Sequence, residues 1–568
     1  MDNDELKRLL SACTKELSDK IRKEVPQRDV PYEERNITKF AFRPYITDFC
    51  YVVERSSPIN KIVKEYTDVD IFNYISTKVD EFDSYKNLVG CDGLAEHIAK
   101  INGTDIAQTK GVLTNFLVTV IKKYLNRGDE TTINRQIDEF LNYLNQLPVK
   151  YSIKMFVYGA QLVEEVPKIE ANSNGLGNIL LRNIEPSDLS FSIPKYLSES
   201  RALGHFETAL IKNQLVPPLI IEADYSVNDR SNLGNYQALK VADSVINILR
   251  LLRPVRFVAG KIDVDRNSFG LFTFGIEHTD YLYRKSYTNA LVGQINKLDK
   301  EQIDKAKEMI DRYWNIIFKV SNEYTDYMRG DTASEVETAI AIALEHYKDS
   351  LFENKYIERQ IASSVMCLEA IWFMNNKGDY SKKTKKLINR IGRIDTDKLT
   401  YISQTDLRGS LSEAYEIRSS FLHGFRSNKS YEELLKIANI TVELARVSLL
   451  LLLETNRAGN TKEDLVNFAD GSNPKLQDTV NNTLNCFCPV YVGKVDHYYD
   501  RIKVGVLKTI TSLKKNACIR VCHDDKFSNH SVYSIQIDKK EVSPVPPGSE
   551  IGLKIDGDIS KMDRIYLY

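Results

Sequence analysis

Apolar residues recur at helical spacing through the first part of the chain. Glu5 to Glu24 has one apolar face, and Asp92 to Tyr124 and Thr132 to Leu147 keep the same period, so residues 1–150 read as mainly helical. From about residue 150 the pattern turns to short alternating or continuous apolar runs. Ser152 to Tyr158, Asn178 to Leu181, Pro218 to Ala223, Val255 to Asp263 and Phe269 to Gly275 predict strands, with a helix over Tyr236 to Leu252 between them. Helical spacing returns later. Ile361 to Phe373 is an apolar stripe interrupted by Glu369, and Tyr431 to Glu454 reads as one long helix that ends in the run Val447 to Leu453. Gly459, Gly471 and Pro474 then break any long helix between Asn456 and Asn485, leaving a linker with a short helix near Lys462 to Phe468. Val490 to Leu507 alternates with period two, and Ala517 to Cys522, Ser531 to Ile537 and Glu550 to Ile555 follow as short strands, the spacing of a small closed barrel.

The pattern therefore predicts a multidomain α+β chain: a helical bundle, a mixed α/β N-terminal region and a small C-terminal β-barrel. The boundaries fall at 1–150 (mainly helical), 151–304 (mixed, sensor or regulatory), 305–460 (helical bundle), 461–486 (linker) and 487–568 (barrel).

The candidate chemistry lies in Glu416-Ile-Arg-Ser-Ser-Phe-Leu-His-Gly424, at the end of a predicted helix. Attack of a ribose hydroxyl on the neighbouring phosphate needs a group that exchanges protons near neutral pH, the role of His423. It also needs a cation on the phosphate, and the guanidinium of Arg418 is permanently charged and matches phosphate oxygens bidentately. Five residues at about 100° each set the two side chains roughly 140° apart on a helix. They serve one site only if that helix end borders a cleft. Gly424 marks a C-terminal cap at His423, where the helix dipole favours a cation.

Arg418-Ser-Ser-Phe-Leu-His423-Gly424, preceded by Tyr415 and set between long helices, resembles the Arg-x-x-x-x-His motif of HEPN ribonucleases, especially the Apea-like branch of prokaryotic phage-defence proteins. The resemblance covers roughly residues 305 to 460, with Ile361 to Phe373 similar to the first core helix of that fold and Tyr431 to Glu454 to its closing helix. It implies a homodimer in which each protomer gives its Arg and His, and RNA cleavage without metal or other cofactor that leaves a cyclic phosphate and a free hydroxyl. On that basis Arg418 binds phosphate, His423 is the general acid or base and Ser419 hydrogen-bonds the phosphate. Glu369 either orients Arg418 or His423 or simply pairs with a nearby arginine. His97, His205, His278 and His346 have no partners at motif spacing.

Tyr491 to Leu507, Ser534 to Asp538 and Pro547 to Ile555 resemble the second, β-barrel domain of elongation factor Tu, although Asn516-Ala517 stands where that family commonly has Gly-Asp. Such barrels contact tRNA or ribosomal RNA in translation factors. The resemblance implies either delivery of the nuclease to tRNA or ribosomes, or a barrel that packs on the chain or mediates assembly. Lys494, Tyr498 and Arg501, with His497 and Tyr499, offer stacking and phosphate groups at one hairpin. Cys486, Cys488, Cys518 and Cys522 make an alternative zinc set, against spacings outside the usual pattern and the ordinary place of cysteine in a barrel core.

Composition narrows the options. With 77 Lys and Arg against 78 Asp and Glu, the formal net charge is −1, so RNA contact needs a local basic patch. Lys382, Lys385, Lys386, Arg390 and Arg393 supply a candidate, although a charged run is commonly a solvated helix face. The eight cysteines, the polar start Asp2-Asn-Asp-Glu-Leu and the lack of a membrane-length apolar run are those expected of a cytoplasmic protein without membrane contact. Asn174-Gly-Leu-Gly-Asn178 lacks the lysine of a phosphate loop and reads as a turn, which argues against an ATPase-coupled design. The N-terminal half is then left to sense a trigger, such as a phage-derived molecule, or to restrain the nuclease. Two functions emerge: an antiviral effector ribonuclease cutting tRNA or other cellular RNA, or a non-catalytic RNA-binding, dimerisation or translation-associated protein.

Overall fold

The computed structural model describes residues 3–41, 51–90, 94, 109–127, 130–145, 149–163, 169–173, 175–189, 191–194, 215–216, 218–227, 232–254, 257–266, 274–277, 296–321, 334–351, 356–374, 382–394, 404–523 and 526–568. The chain is a multidomain α+β protein with a closed six-stranded barrel near its C-terminus. It forms two compact units: residues 1–157, 168–242 and 259–279, and residues 158–167, 243–258 and 280–568.

The first unit holds the helices Asn3–Glu24, Asp68–Lys78, Asp83–Val89, Thr109–Arg127 and Glu130–Asn145, whose apolar faces share a core that includes Leu10, Leu17, Ile75, Phe116 and Phe140. A six-stranded sheet runs in the order Phe274–Glu277, Val258–Arg266, Val149–Tyr158, Leu219–Val227, Leu176–Asn183, Ile169–Ser173. Of the glycine pair read as a turn, Gly175, at φ +79°, lies between the last two of these strands, whereas Gly177 is already within Leu176–Asn183.

Residues 1–150 are less helical than their pattern suggests. Arg28–Ala41 and Tyr51–Glu65 pair as a long antiparallel ribbon, flanked by Phe191–Pro194 and Leu215–Val216. Its alternation is hidden because Glu33 and Arg35, joined at 2.7 Å, occupy buried positions where apolar residues would normally mark a strand. The predicted segments 92–108 and 269–273 lie outside the described residues, apart from Leu94.

The second unit contains the helical bundle: Lys300–Ser321, Glu335–Leu351, Ile357–Trp372, Lys383–Ile391, Gln404–Leu422 and Tyr431–Arg457. The last of these begins with a capping box between Ser430 and Glu433, which satisfies free backbone N–H groups of its first turn. Leu449 to Leu453 are all buried in it. Trp372 Nε1 donates to Ser448 Oγ at 2.9 Å, fastening Ile357–Trp372 to this helix. The segment read as a linker forms two helices, Lys462–Ala469 and Gln477–Phe487.

The barrel runs Cys518–His523, Arg564–Leu567, Val490–Tyr499, Val504–Lys508, Glu550–Ile555 and Lys526–Ile537, which pairs back to the first strand. Closure removes the exposed sheet edges. Val495, Leu507, Ile519, Val532, Leu553 and Ile565 fill its interior. Among the described residues no helix is long and apolar enough to cross a membrane.

Candidate functional site

Three helices build the site. Gln404–Leu422 carries Tyr415 and Arg418, Ile357–Trp372 carries Glu369, and the apolar residues Ile361, Val365, Ala414, Ile417, Ile437 and Ala438 hold these two helices and Tyr431–Arg457 together. Arg418 and Tyr415 are one helical turn apart, so both reach the same carboxylate. Glu369 Oε2 accepts from Arg418 Nη2 at 2.8 Å, and its Oε1 accepts from the Tyr415 hydroxyl at 2.6 Å. This pairing with Arg418 is common to both roles open to Glu369, orientation of the arginine and a simple ion pair.

The pair is neither sealed nor fully solvated, with side chains 22% (Arg418) and 14% (Glu369) exposed. Arg418 also lies over the Tyr415 ring, 5.7 Å from its centroid, and its Nε is buried without a hydrogen-bond partner. Burial, and then the hydrogen bond and negative charge of Glu369, push the Tyr415 phenol well above its ordinary value. Tyr415 is therefore a donor at working pH.

A helix C-terminus of predictable geometry sets His423. Gly424 N–H donates to Phe421 O at 3.0 Å and Phe425 N–H to Ser420 O at 2.9 Å, with Gly424 at φ +84°. This is a Schellman cap, which glycine enters without Cβ strain. His423 and Ser419 are exposed, whereas Arg418 is turned to Glu369. Leu422, Phe425 and Tyr431, all within eight residues of His423 in the chain, are each more than half exposed.

One histidine escaped the motif search. His346, on Glu335–Leu351, is half-buried in the field of the same pair: burial holds its imidazolium below the usual value, Arg418 acts in the same direction, and Asp349, Glu345 and Glu369 oppose them. Only packing brings these helices together, so no local spacing signals it. His97, His205 and His278 lie outside the described residues.

The other candidate contacts are redistributed. Lys382 and Lys385 are exposed and Lys386 is half-buried, but Arg390 is buried. Its Nε and Nη2 donate to Asp470 at 2.9 and 2.8 Å and Nη1 donates to Trp372 O, so Arg390 is a structural brace and not an RNA-facing cation. Arg393 is exposed but its guanidinium lies against Gly471, where a Cβ would come within 2.1 Å of Nη1. On the barrel hairpin Arg501 is exposed and Lys494 half-buried. Tyr498 packs against the barrel core, and Tyr499, 50% exposed and edge-on to His497 at 4.5 Å, takes the outward position instead.

The alternative zinc set does not assemble. Cys486 is exposed, Cys488, Cys518 and Cys522 are buried, and among the described residues no group of three or more His, Cys, Asp or Glu could hold a metal ion. Burial pushes the Cys522 thiol up to about 11, the behaviour of a core side chain. The barrel itself is fastened to the bundle. Arg520, on Cys518–His523, lies 3.5 Å from Glu443 of Tyr431–Arg457, and Glu443 also binds Arg446 at 2.7 Å. No family model matches the chain, and no curated protein matches it.

Proposed function

We propose that the chain is a metal-independent endoribonuclease of the HEPN type, acting in the cytoplasm as an antiviral effector on tRNA or other cellular RNA. The observation that carries this reading is Arg418 held by Glu369 and Tyr415 on the helix whose capped end presents His423. In the proposed reaction the ribose hydroxyl attacks the adjacent phosphorus and His423 mediates the proton transfer. Arg418 offsets the charge that grows on the phosphoryl oxygens, and the bond to the 5′ oxygen breaks. The products are a cyclic phosphate and a free 5′ hydroxyl. The exposed Leu422, Phe425 and Tyr431 support a homodimer that brings two motif ends together.

The test is incubation of purified protein with total tRNA and, separately, mRNA in excess chelator. Wild type is expected to cleave, and His423→Ala to lose about 10²- to 10⁴-fold in rate. Equal cleavage by both proteins would remove His423 from the mechanism. The second reading, a non-catalytic RNA-binding, dimerisation or translation-associated protein, is favoured by the same Arg418–Glu369 pair, since an ion pair also fastens two helices without doing chemistry. RNA binding without cleavage, unchanged in His423→Ala, would establish it.

A further inference from the structure

Three residues beyond His423, and so within about 11 Å along the backbone, the chain places a second arginine whose surroundings are unusual for a surface cation. Arg426 has a side chain that is 67% exposed, yet it is held at two points. Its Nε donates to Glu358 Oε1 at 3.3 Å, and its Cζ lies 4.9 Å from the centroid of the Tyr356 ring. Tyr356 in turn meets Phe421 of the motif helix, ring to ring at 6.3 Å. Arg426 is thus tied both to the first turn of Ile357–Trp372 and to the end of the helix that carries Arg418 and His423.

Glu358 makes this arrangement informative. Its side chain is 1% exposed and its Oε2 has no hydrogen-bond partner among the described residues. Burying a carboxylate is unfavourable unless a cation accompanies it. A buried acid paired with an exposed guanidinium contributes little by burial of the pair, and what it does achieve is to fix the guanidinium in one place. With Nε committed to Glu358 and one face of the plane against Tyr356, the two Nη groups form an open fork at the surface, the geometry that binds phosphate oxygens bidentately.

We propose that Arg426 is a second RNA-contacting residue, binding the backbone phosphate next to the one that is cleaved. This rests on the ribonuclease reading. Arg418 then acts at the reacting phosphate, and Arg426 holds the strand in register without touching the reacting atoms. Removing a contact made equally in the ground and transition states raises KM and leaves kcat in place.

The experiment compares wild type, Arg426→Ala and Arg426→Lys on a single-stranded RNA in excess chelator, measuring kcat, KM and the salt dependence of RNA binding. For Arg426→Ala, KM is expected to rise about tenfold with kcat within about twofold, and the slope of log affinity against log salt to fall by about 0.7. Arg426→Lys keeps the charge but not the fork, so the slope is restored while KM stays about threefold above wild type. If Arg426→Ala fails to fold, the split between slope and KM in Arg426→Lys decides the matter alone. Wild type that binds or cleaves RNA, with KM and slope unchanged in both variants, would overturn the role of Arg426 only. Wild type that neither binds nor cleaves RNA would overturn the ribonuclease reading together with it.

Discussion

Two arginine–glutamate assemblies lie in the same helical bundle and differ in what surrounds them. Glu443, Arg446 and Arg520 are fully buried, and Arg446 also donates to Leu251 O and Phe487 O, both at 3.0 Å. Arg520 adds Asn529 at 3.2 Å and the face of Tyr568 at 4.8 Å. Sealed from solvent and reaching from the barrel strand to the bundle helix, this network clamps the barrel to the bundle. Glu369 and Arg418 use the same chemical groups but keep part of their surface open, on a helix whose capped end carries the exposed His423. Solvent access separates a fastening from a candidate site, and residue type alone does not.

The comparison breaks most sharply at the sealed network. Glu443→Gln leaves two buried guanidinium groups without their carboxylate and is expected to lower stability by about 3–5 kcal/mol, read by denaturant unfolding. A loss under 1 kcal/mol would show that the network does not hold the barrel.

At the half-open pair the expected signature is reversed. Glu369→Gln keeps a hydrogen-bonding oxygen and shifts stability by only about 1 kcal/mol. It misplaces Arg418 and lowers RNA cleavage about 10²-fold. A variant that stays folded in the assay and keeps its cleavage rate, but loses about 3 kcal/mol or more of stability, would make Glu369 a second fastening.

The basic helix offers a smaller contrast. Arg390→Ala is expected to lower stability by about 2 kcal/mol, because it strips both Asp470 and the Trp372 carbonyl of their donor. Lys385→Ala, an exposed neighbour, is expected to change stability by less than about 0.5 kcal/mol. Equal melting of the two variants would put Arg390 back on the surface.

The smallest effect concerns acid. Burial would raise the Glu454 carboxyl, but the Arg457 ion pair and hydrogen bonds from Tyr313 and Arg312 outweigh it and hold the group below its ordinary value. A folded pKa below the unfolded one contributes stability above the unfolded value, about 4.3, and that contribution is lost as pH falls through the folded value. Glu454→Gln should therefore lose stability less steeply than wild type as pH falls below about 4. Parallel acid curves would contradict this.

Periodicity made the long elements legible. The stripes of Ile357–Trp372 and Tyr431–Arg457 and the alternation of the barrel strands are consequences of burying one face, and that face is written in the order of residues. The ribbon of Arg28–Ala41 and Tyr51–Glu65 was not legible, because a buried ion pair replaces apolar residues on its inner face. Side-chain direction was the other blind spot. A run of Lys and Arg does not say that Arg390 alone turns inward, nor do adjacent tyrosines say that Tyr498 packs and Tyr499 points out. Arg418, His423 and the Gly424 cap follow from local spacing. Arg426 depends on Glu358, 68 residues away, and His346 on helices brought together only by packing.

The central claim is tested most directly by identifying the ends of RNA fragments produced by wild type in excess chelator, alongside Arg418→Ala and His423→Ala. Fragments ending in a cyclic phosphate and beginning with a 5′ hydroxyl, lost in both variants, are the predicted result. Fragments that begin with a 5′ phosphate, or that persist in either variant, would contradict it.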